Sequence, residues 1–182
     1  MSEILNKKNI VLIGMPGSGK TTIGKLLASV LGMKFVDSDD YIEKRYATTI
    51  KDMFEVSEDY FRDCEAKCIK KISEDFTYIV LATGGGVIKK TENITRLKSN
   101  SIIIFLDRDV DSILSSMQDD EKRPLLQGEK RKKLQELLGE RYNAYLQNCD
   151  YRVVCLNKTC EYITHEIKAY LEEVGHICLP KT

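Results

Sequence analysis

The alternation of apolar and polar residues along the chain predicts five short β-strands separated by helices. The runs that predict the strands are Ile10 to Ile13, Phe35 to Val36, Tyr78 to Ala82, Ile102 to Leu106 and Arg152 to Leu156. Nearly continuous apolar runs are typical of parallel strands that are covered by helices on both faces. The pattern therefore predicts an α/β fold with a parallel sheet between two helical layers.

Helical periodicity and capping residues predict the segments between the strands. The first helix spans residues 19 to 31, with Gly32 placed to cap its C-terminus. Its apolar face is predicted to be Ile23, Leu26, Leu27 and Val30. A second long helix is predicted from Ser57, a capping residue, to about Ser73. Further helices are predicted near Thr91 to Lys98, Val110 to Met117, Lys130 to Leu146 and Cys160 to Val174.

The domain organisation is predicted to be simple. No repeat or linker divides the 182 residues, so a single domain spanning 1–182 is expected. Residues 117–129 are polar and then interrupted by Pro124 and Gly128, which is typical of a mobile lid.

Charge and cysteine content limit the classes of partner. The 28 basic and 28 acidic side chains cancel, and no dense run of one sign suggests a nucleic-acid or membrane surface. The N-terminus has too few apolar residues for a signal peptide or a membrane span, so a cytoplasmic protein is expected. The six cysteines contain no Cys-x-x-Cys pair, which argues against zinc-ligand spacing and favours free, packed thiols.

Residues 14–21, Gly-Met-Pro-Gly-Ser-Gly-Lys-Thr, match the phosphate-binding pattern G-x-x-x-x-G-K-[ST] between a predicted strand and a predicted helix. Backbone N–H groups of such a loop surround an anion, the lysine reaches the β- and γ-phosphates, and the hydroxyl ligates Mg²⁺. A glycine-rich connecting turn would need neither a lysine nor a hydroxyl in fixed register. The predicted ATP-binding residues of this loop are Gly17, Ser18, Gly19, Lys20, Thr21 and Thr22.

The phosphate loop alone does not identify the class of nucleotide-binding protein. A GTPase usually carries Asn-Lys-x-Asp, but here Asn157-Lys158-Thr159 is followed by Cys160, so the guanine-reading carboxylate is missing. A motor or transport ATPase would normally add large insertions, for which this chain has no room. A small-molecule kinase is the remaining prediction.

Further motifs follow the predicted strands. Asp37-Ser38-Asp39 follows the second strand and Gly84-Gly85-Gly86 follows the third, where carboxyl ends of parallel strands line a ligand crevice. Phe61-Arg62 with Glu65, Arg123-Pro124-Leu125-Leu126 and Glu140-Arg141 complete a set that runs, with the phosphate loop, from Ile10 to about Tyr145. In order and spacing this set resembles the shikimate kinase family.

The resemblance implies a P-loop fold with a five-stranded parallel sheet of order 2-3-1-4-5, helices on both faces and a small lid. It also implies transfer of the γ-phosphoryl group of ATP to the 3-hydroxyl of shikimate, in aromatic amino-acid biosynthesis. The implied cofactor is Mg²⁺, the implied partners are ATP and shikimate, and a monomer is expected. The substrate-binding region would lie at about residues 37–73.

The resemblance also implies roles for individual residues. Arg62 and Arg141 would hold the carboxylate of shikimate, because a guanidinium pairs with a carboxylate through two hydrogen bonds. Asp39 would bind the ring hydroxyls and take the proton of the attacking one. Phe61 would lie against the ring, and the substrate-facing backbone would be that of Gly84, Gly85 and Gly86.

On the phosphate side, Asp37 would reach Mg²⁺ through water, beside the direct ligand Thr21. Arg123, carried by the lid, would neutralise charge on the transferred phosphoryl group. The implied catalytic residues are Lys20, Asp39 and Arg123.

Simpler interpretations stay open for several of these residues. Arg62 and Glu65 lie one helical turn apart and would suit an exposed salt bridge. The acidic residues 37, 39 and 40 would suit a turn and a helix N-cap, and the three glycines a tight turn. Arg141 would suit a solvated helix position, which is also how Arg108, Arg131 and Arg152 are interpreted, and Asp107 is left out of the site.

Two other functions compete with this one. A different small-metabolite kinase of the same fold, such as a gluconate kinase, would share the phosphate loop, the lid arginine and an acidic residue after the second strand. A nucleotide-binding regulator without chemistry would share the phosphate loop alone. Phe61-Arg62, the triple glycine and Arg141 favour a ring acid as acceptor.

Overall fold

The computed structural model describes residues 7–116 and 124–175 and contains one sheet of five parallel strands in the order β2-β3-β1-β4-β5. The strands are β1 Asn9–Ile13, β2 Lys34–Asp37, β3 Ile79–Ala82, β4 Ser101–Asp107 and β5 Tyr151–Val154. The predicted fold is confirmed, and each strand overlaps the apolar run that predicted it.

Helices fill the connections between the strands. They are α1 Lys20–Leu31, α2 Ser38–Tyr46, α3 Ile50–Val56, α4 Glu58–Asp75, α5 Thr91–Asn100, α6 Val110–Ser116, α7 Pro124–Asn148 and α8 Cys160–Glu173, with a 3₁₀ turn at Val87–Lys89. The side chains of β1 alternate between two apolar layers, because successive strand residues point to opposite faces. Ile10 and Leu12 pack with α1 and α8, whereas Val11 and Ile13 pack with α4, α5, α6 and α7.

The predicted caps of the two long N-terminal helices are present. Gly32 ends α1 in the left-handed conformation with φ 63°, and the Ser57 hydroxyl accepts the Tyr60 N–H at 3.0 Å at the start of α4. The predicted apolar face of α1 was wrong at Val30, which is 42% exposed. The buried stripe runs instead through Gly24, where a Cβ would lie 2.6 Å from the ring of Phe35.

Helices α2 and α3 were not predicted. They have only nine and seven residues, so each is too short to show a helical period in the sequence. Their N-termini are nevertheless capped, since Asp37 accepts the Asp39 N–H at 3.0 Å and Thr49 accepts the Asp52 N–H at 3.1 Å. With α4 they enclose a separate apolar cluster of Ile42, Met53, Phe61, Cys64 and Cys68.

The predicted lid lies mainly outside the described residues. Residues 117–123, which include Arg123, are not described, and α7 begins at Pro124, so residues 124–129 belong to its first turns. Proline is favoured at the first position of a helix, where its missing N–H would have no partner.

In the described part of the chain, no helix is both long and apolar enough to span a membrane. Five of the six cysteines lie in that part, and all five are free thiols. Cys64, Cys68 and Cys155 are buried.

Candidate active site

The candidate site lies at the edge of the sheet where the carboxyl ends of the strands meet. The phosphate loop follows β1, Asp37 ends β2, the three glycines follow β3, and Arg108 follows β4. They border a cavity of about 550 Å³. The described residues that line it are Gly17, Gly19, Lys20, Thr21, Thr22, Asp37, Asp39, Thr83, Gly84, Gly85, Arg108, Ser116 and Cys160.

Glycines determine the backbone conformation of the phosphate loop. Gly14, Gly17 and Gly19 have positive φ angles of 146°, 77° and 93°, which other residues rarely adopt. The Lys20 ammonium donates to the carbonyls of Gly14 at 2.9 Å and Met15 at 2.7 Å, inside the loop. Burial lowers the pKa of Lys20 from 10.5 to about 8, although Asp39 and Asp37 raise it. The loop therefore holds a buried cation beside its glycine backbone, an arrangement that suits a phosphate chain.

Thr21 and Asp37 form a hydroxyl–carboxylate pair across the cavity. The Thr21 hydroxyl donates to Asp37 Oδ2 at 2.9 Å, and the other oxygen of Asp37 caps α2. The capping interpretation of Asp37 and its predicted place in the site are therefore compatible. Oxygen donors of this kind fit Mg²⁺, which retains water and phosphate ligands.

Asp39 lies between the phosphate loop and the three glycines Gly84, Gly85 and Gly86, which we call the glycine loop. Burial and the neighbouring Asp37 raise the pKa of its carboxyl group, while Ser38, Lys20 and Arg62 lower it. A Cβ at Gly84 would lie 2.8 Å from Asp39 Oδ1, so the missing side chain makes room for this carboxylate. The Gly84 N–H is bonded to the Ser38 hydroxyl at 3.1 Å, which ties the glycine loop to α2.

Arg62 and Glu65 form a buried ion pair rather than an exposed one. Arg62 is 8% exposed and Glu65 1%, and Arg62 Nη1 donates to Glu65 Oε2 at 2.8 Å. The other carboxylate oxygen of Glu65 is buried without a hydrogen-bond partner in the described residues, and burial raises the pKa of Glu65. The Arg62 guanidinium also lies 4.9 Å from the centroid of the Phe61 ring. The interpretation as a solvated surface pair is therefore wrong.

Arg141 is also buried, at 7% exposed, so its interpretation as a solvated helix residue is wrong. Its Nη1 donates to the Gly85 carbonyl at 3.1 Å, whereas its Nε has no partner among the described residues. Gly86 lies directly against the Arg62 guanidinium, where any Cβ would collide. The triple glycine thus contacts two buried guanidinium groups, which a plain turn would not require.

Arg108 was wrongly interpreted as a solvated helix residue. It stands between β4 and α6, lines the cavity, and places Nη1 3.7 Å from the Cβ position of Gly19 in the phosphate loop. No carboxylate of residues 7–116 or 124–175 pairs with it. Asp107 beside it is engaged elsewhere, since it accepts hydrogen bonds from Arg152 Nε at 2.8 Å and from the Tyr142 hydroxyl at 3.1 Å.

Sequence reasoning also missed Phe54. Its ring is 42% exposed, lies 4.5 Å from the buried Phe61 ring and 5.7 Å from the Arg62 guanidinium. Phe54 belongs to α3, so no pattern pointed to it once that helix was missed. Ser116, at the end of α6, and Cys160, at the start of α8, also line the cavity and were not predicted.

Comparisons with known proteins show the family of the chain. The family model described as shikimate kinase matches residues 16–172. A shikimate kinase of Clostridium botulinum (strain Alaska E43 / Type E3) is 44% identical over 162 residues, which cover 89% of this chain and 96% of that protein. The solved structure of the shikimate kinase from Acinetobacter baumannii in complex with shikimate aligns with a TM-score of 0.84 and 32% identity, covering 95% of this chain and 97% of that one.

The gluconate kinase alternative is much weaker in the same comparison. A gluconokinase from Sinorhizobium meliloti 1021 aligns with a TM-score of 0.57 and 15% identity, and such a likeness shows the shared fold alone. By the extent of the family match and the identity to its members, the chain belongs to the shikimate kinase family.

Proposed function

We propose that this ATP-dependent shikimate kinase phosphorylates the 3-hydroxyl of shikimate, giving shikimate 3-phosphate and ADP for aromatic amino-acid biosynthesis, with the residues described above. The observation that carries the acceptor assignment is the pair of buried guanidinium groups, Arg62 and Arg141, which both contact the triple glycine. They lie in the same site as the phosphate loop, since Gly85 contacts Pro16 of that loop.

Shikimate would be held through its carboxylate and its ring. Arg62 and Arg141 bind the carboxylate by charge-assisted hydrogen bonds, which are stronger when both groups are shielded from water. The Nε of Arg141 is a buried donor with no acceptor in the described residues, so a carboxylate there would satisfy it. Phe61 and the more exposed Phe54 offer the apolar surface for the ring. Gly85 and Gly86 offer backbone N–H groups, and Gly84, whose own N–H is bonded to Ser38, holds the loop in place beside them.

Asp39 would act as the general base. Its carboxylate accepts the proton of the 3-hydroxyl as that oxygen forms its bond to the γ-phosphorus, and the bond from the γ-phosphorus to ADP breaks. Burial and Asp37 raise the pKa of Asp39, which makes it a better proton acceptor than an exposed aspartate. The neighbouring Glu65, held by Arg62, adds a second buried carboxylate beside Gly84.

Lys20, Thr21 and Asp37 would hold the phosphate chain and its metal ion. When bound, Mg²⁺ neutralises phosphate charge and orients the γ-phosphoryl group. In the described residues no cluster of three or more His, Cys, Asp or Glu side chains could hold a metal alone. The Thr21 hydroxyl and the carboxylate of Asp37 suit an ion that takes its other ligands from phosphate and water.

Arg123 keeps its proposed role in neutralising the transferred phosphoryl group, with residues 117–129 as the lid. Gly17, Ser18, Gly19 and Thr22 complete the proposed ATP site. We also propose that the protein acts in the cytoplasm as a monomer, which sedimentation at assay concentration would test.

The regiochemistry of the product tests this function. After incubation with ATP, Mg²⁺ and shikimate, ³¹P NMR should show one new phosphomonoester coupled to the proton on C3. A phosphate on another hydroxyl, or phosphate released to water alone, would contradict the proposal.

We expect Arg108→Ala to weaken ATP binding selectively. A guanidinium without a carboxylate partner beside the phosphate loop suits the anionic or aromatic part of a nucleotide. Loss of one such contact is worth about 1–2 kcal/mol, so KM for ATP should rise roughly tenfold while KM for shikimate stays within about twofold. Arg96→Ala is the control, since Arg96 pairs with Glu92 on the surface of α5. Unchanged KM for ATP would remove Arg108 from the nucleotide site.

The lowered pKa of Lys20 predicts a pH limit on ATP capture. The free enzyme should lose this proton near pH 8, well below its usual value of 10.5, and phosphate binding requires the charged form. Hence kcat/KM for ATP should be level below pH 8 and fall above it, approaching about tenfold per pH unit. With both substrates saturating, bound phosphates keep Lys20 charged. The decline of kcat should therefore begin at a higher pH than the decline of kcat/KM. A level kcat/KM up to about pH 9.5 would contradict this role of Lys20.

A further inference from the structure

One carbonyl group ties the glycine loop to α7. The carbonyl oxygen of Gly85 accepts two hydrogen bonds from α7, one from the Tyr145 hydroxyl at 2.5 Å and one from Arg141 Nη1 at 3.1 Å. Arg141 is one of the two proposed carboxylate ligands, whereas Tyr145 has had no role in the proposed reaction. Its hydroxyl is the second donor to this oxygen.

Burial in the core fixes the position of the Tyr145 side chain. Its side chain is fully buried, and its ring stacks on Phe105 of β4 with centroids 5.0 Å apart and an interplanar angle of 23°. The buried phenol has its pKa raised to about 12, so it stays a neutral donor throughout the range in which the enzyme would work. The hydroxyl is thus placed by the core and donates to the loop.

The peptide unit between Gly85 and Gly86 connects the parts of the acceptor site. On one side Gly85 packs against Pro16, where a Cβ would lie 2.7 Å from the proline ring. On the other side Gly86 lies against the Arg62 guanidinium, while the Gly85 carbonyl meets Arg141. This one peptide therefore contacts both guanidinium groups and packs against the phosphate loop.

The peptide also carries a free donor. In a planar trans peptide the C=O and the following N–H point in opposite directions, so the Gly86 N–H points away from Tyr145. No acceptor among the described residues bonds the N–H of Gly85 or of Gly86. Fixing the carbonyl consequently fixes the direction in which this N–H can meet a ligand.

We propose that Tyr145 is a positioning residue for the acceptor, whose hydroxyl holds the Gly85–Gly86 peptide and so sets the spacing of Arg62 and Arg141 for the carboxylate. Because Tyr145 satisfies the Gly85 oxygen by itself, Arg141 can turn Nη1 toward a carboxylate without leaving that buried oxygen unpaired. This inference rests on the proposed function, since the carboxylate belongs to shikimate.

Tyr145→Phe tests the inference, because it removes the hydroxyl and keeps the stacked ring. We expect KM for shikimate to rise about tenfold, with KM for ATP and the melting temperature close to those of the unmodified enzyme. Tyr142→Phe is the matched control. Tyr142 lies one turn earlier on α7, packs edge-on against Phe105 with centroids 5.9 Å apart, and donates to Asp107 away from the glycine loop. It should leave both KM values unchanged.

A double-mutant cycle separates positioning from general loosening of the core. If Tyr145 acts through Arg141, then adding Tyr145→Phe to Arg141→Ala should raise KM for shikimate by much less than tenfold. Equal rises in KM for ATP and shikimate, a full tenfold effect in the Arg141→Ala background, or a lower melting temperature with unchanged KM would each overturn the inference. The unmodified enzyme, assayed with and without shikimate, tests the proposed function separately.

Discussion

Asp39→Asn is expected to lower kcat by about 10²–10⁴-fold, which is the contribution of a positioned general base. Asparagine keeps the size of the side chain and its place beside Gly84, but it cannot take the proton of the attacking hydroxyl. Because Asp39 is proposed to contact the acceptor rather than the nucleotide, KM for ATP should stay within about twofold. Steady-state ADP release with each substrate varied in turn would measure both effects.

Asp40→Asn is a close control for Asp39→Asn. Asp40 is the next residue of α2 and is exposed, so its removal changes the charge of the protein equally without touching the cavity. It should keep nearly full activity. If Asp39→Asn retained more than about a third of kcat, the assignment of Asp39 as the base would fail.

The second large effect is expected from Arg62→Ala, which should raise KM for shikimate roughly 100-fold. Loss of a buried, charge-assisted contact to a carboxylate is worth about 1.5–3 kcal/mol. The rings of Phe54 and Phe61 would also lose their contact with the guanidinium. KM for ATP should change by less than about threefold. Arg96→Ala is again the control, because it removes only the surface ion pair of Arg96 with Glu92.

Arg62→Ala should also reduce stability, because it leaves Glu65 as an unpaired carboxylate that is 1% exposed. Adding Glu65→Gln to Arg62→Ala removes that charge, so the double variant should recover melting temperature but not affinity for shikimate. A loss confined to ATP, or full recovery of KM in the double variant, would show that Arg62 does not bind the acceptor.

The parts of the molecule that local sequence determines were predicted well. The phosphate loop needs glycines at positive φ and a lysine in fixed register, so eight consecutive residues define it. The central strands β1, β3 and β4 could be placed because they are buried along nearly their whole length and are therefore almost entirely apolar. Gly32 and Ser57 marked helix ends because capping depends on neighbouring residues alone.

The acceptor side depends on contacts between distant residues, and there the sequence was a weaker guide. Arg62 lies against Phe54 of α3, a seven-residue helix that is too short to show a helical period in the sequence, so Phe54 was missed with that helix. Arg108 was assigned to solvent because nothing in the sequence shows that the end of β4 points it over Gly19. The predicted site itself came from the resemblance to a family, and the role of Arg123 remains a prediction.

Acceptor-dependent ADP release tests the central claim most directly. One preparation of the enzyme, with ATP and Mg²⁺, should be assayed in parallel with shikimate, with gluconate and without an acceptor. The account predicts rapid ADP release with shikimate and only background release in the other two reactions. Equal rates in all three, or a preference for gluconate, would contradict it.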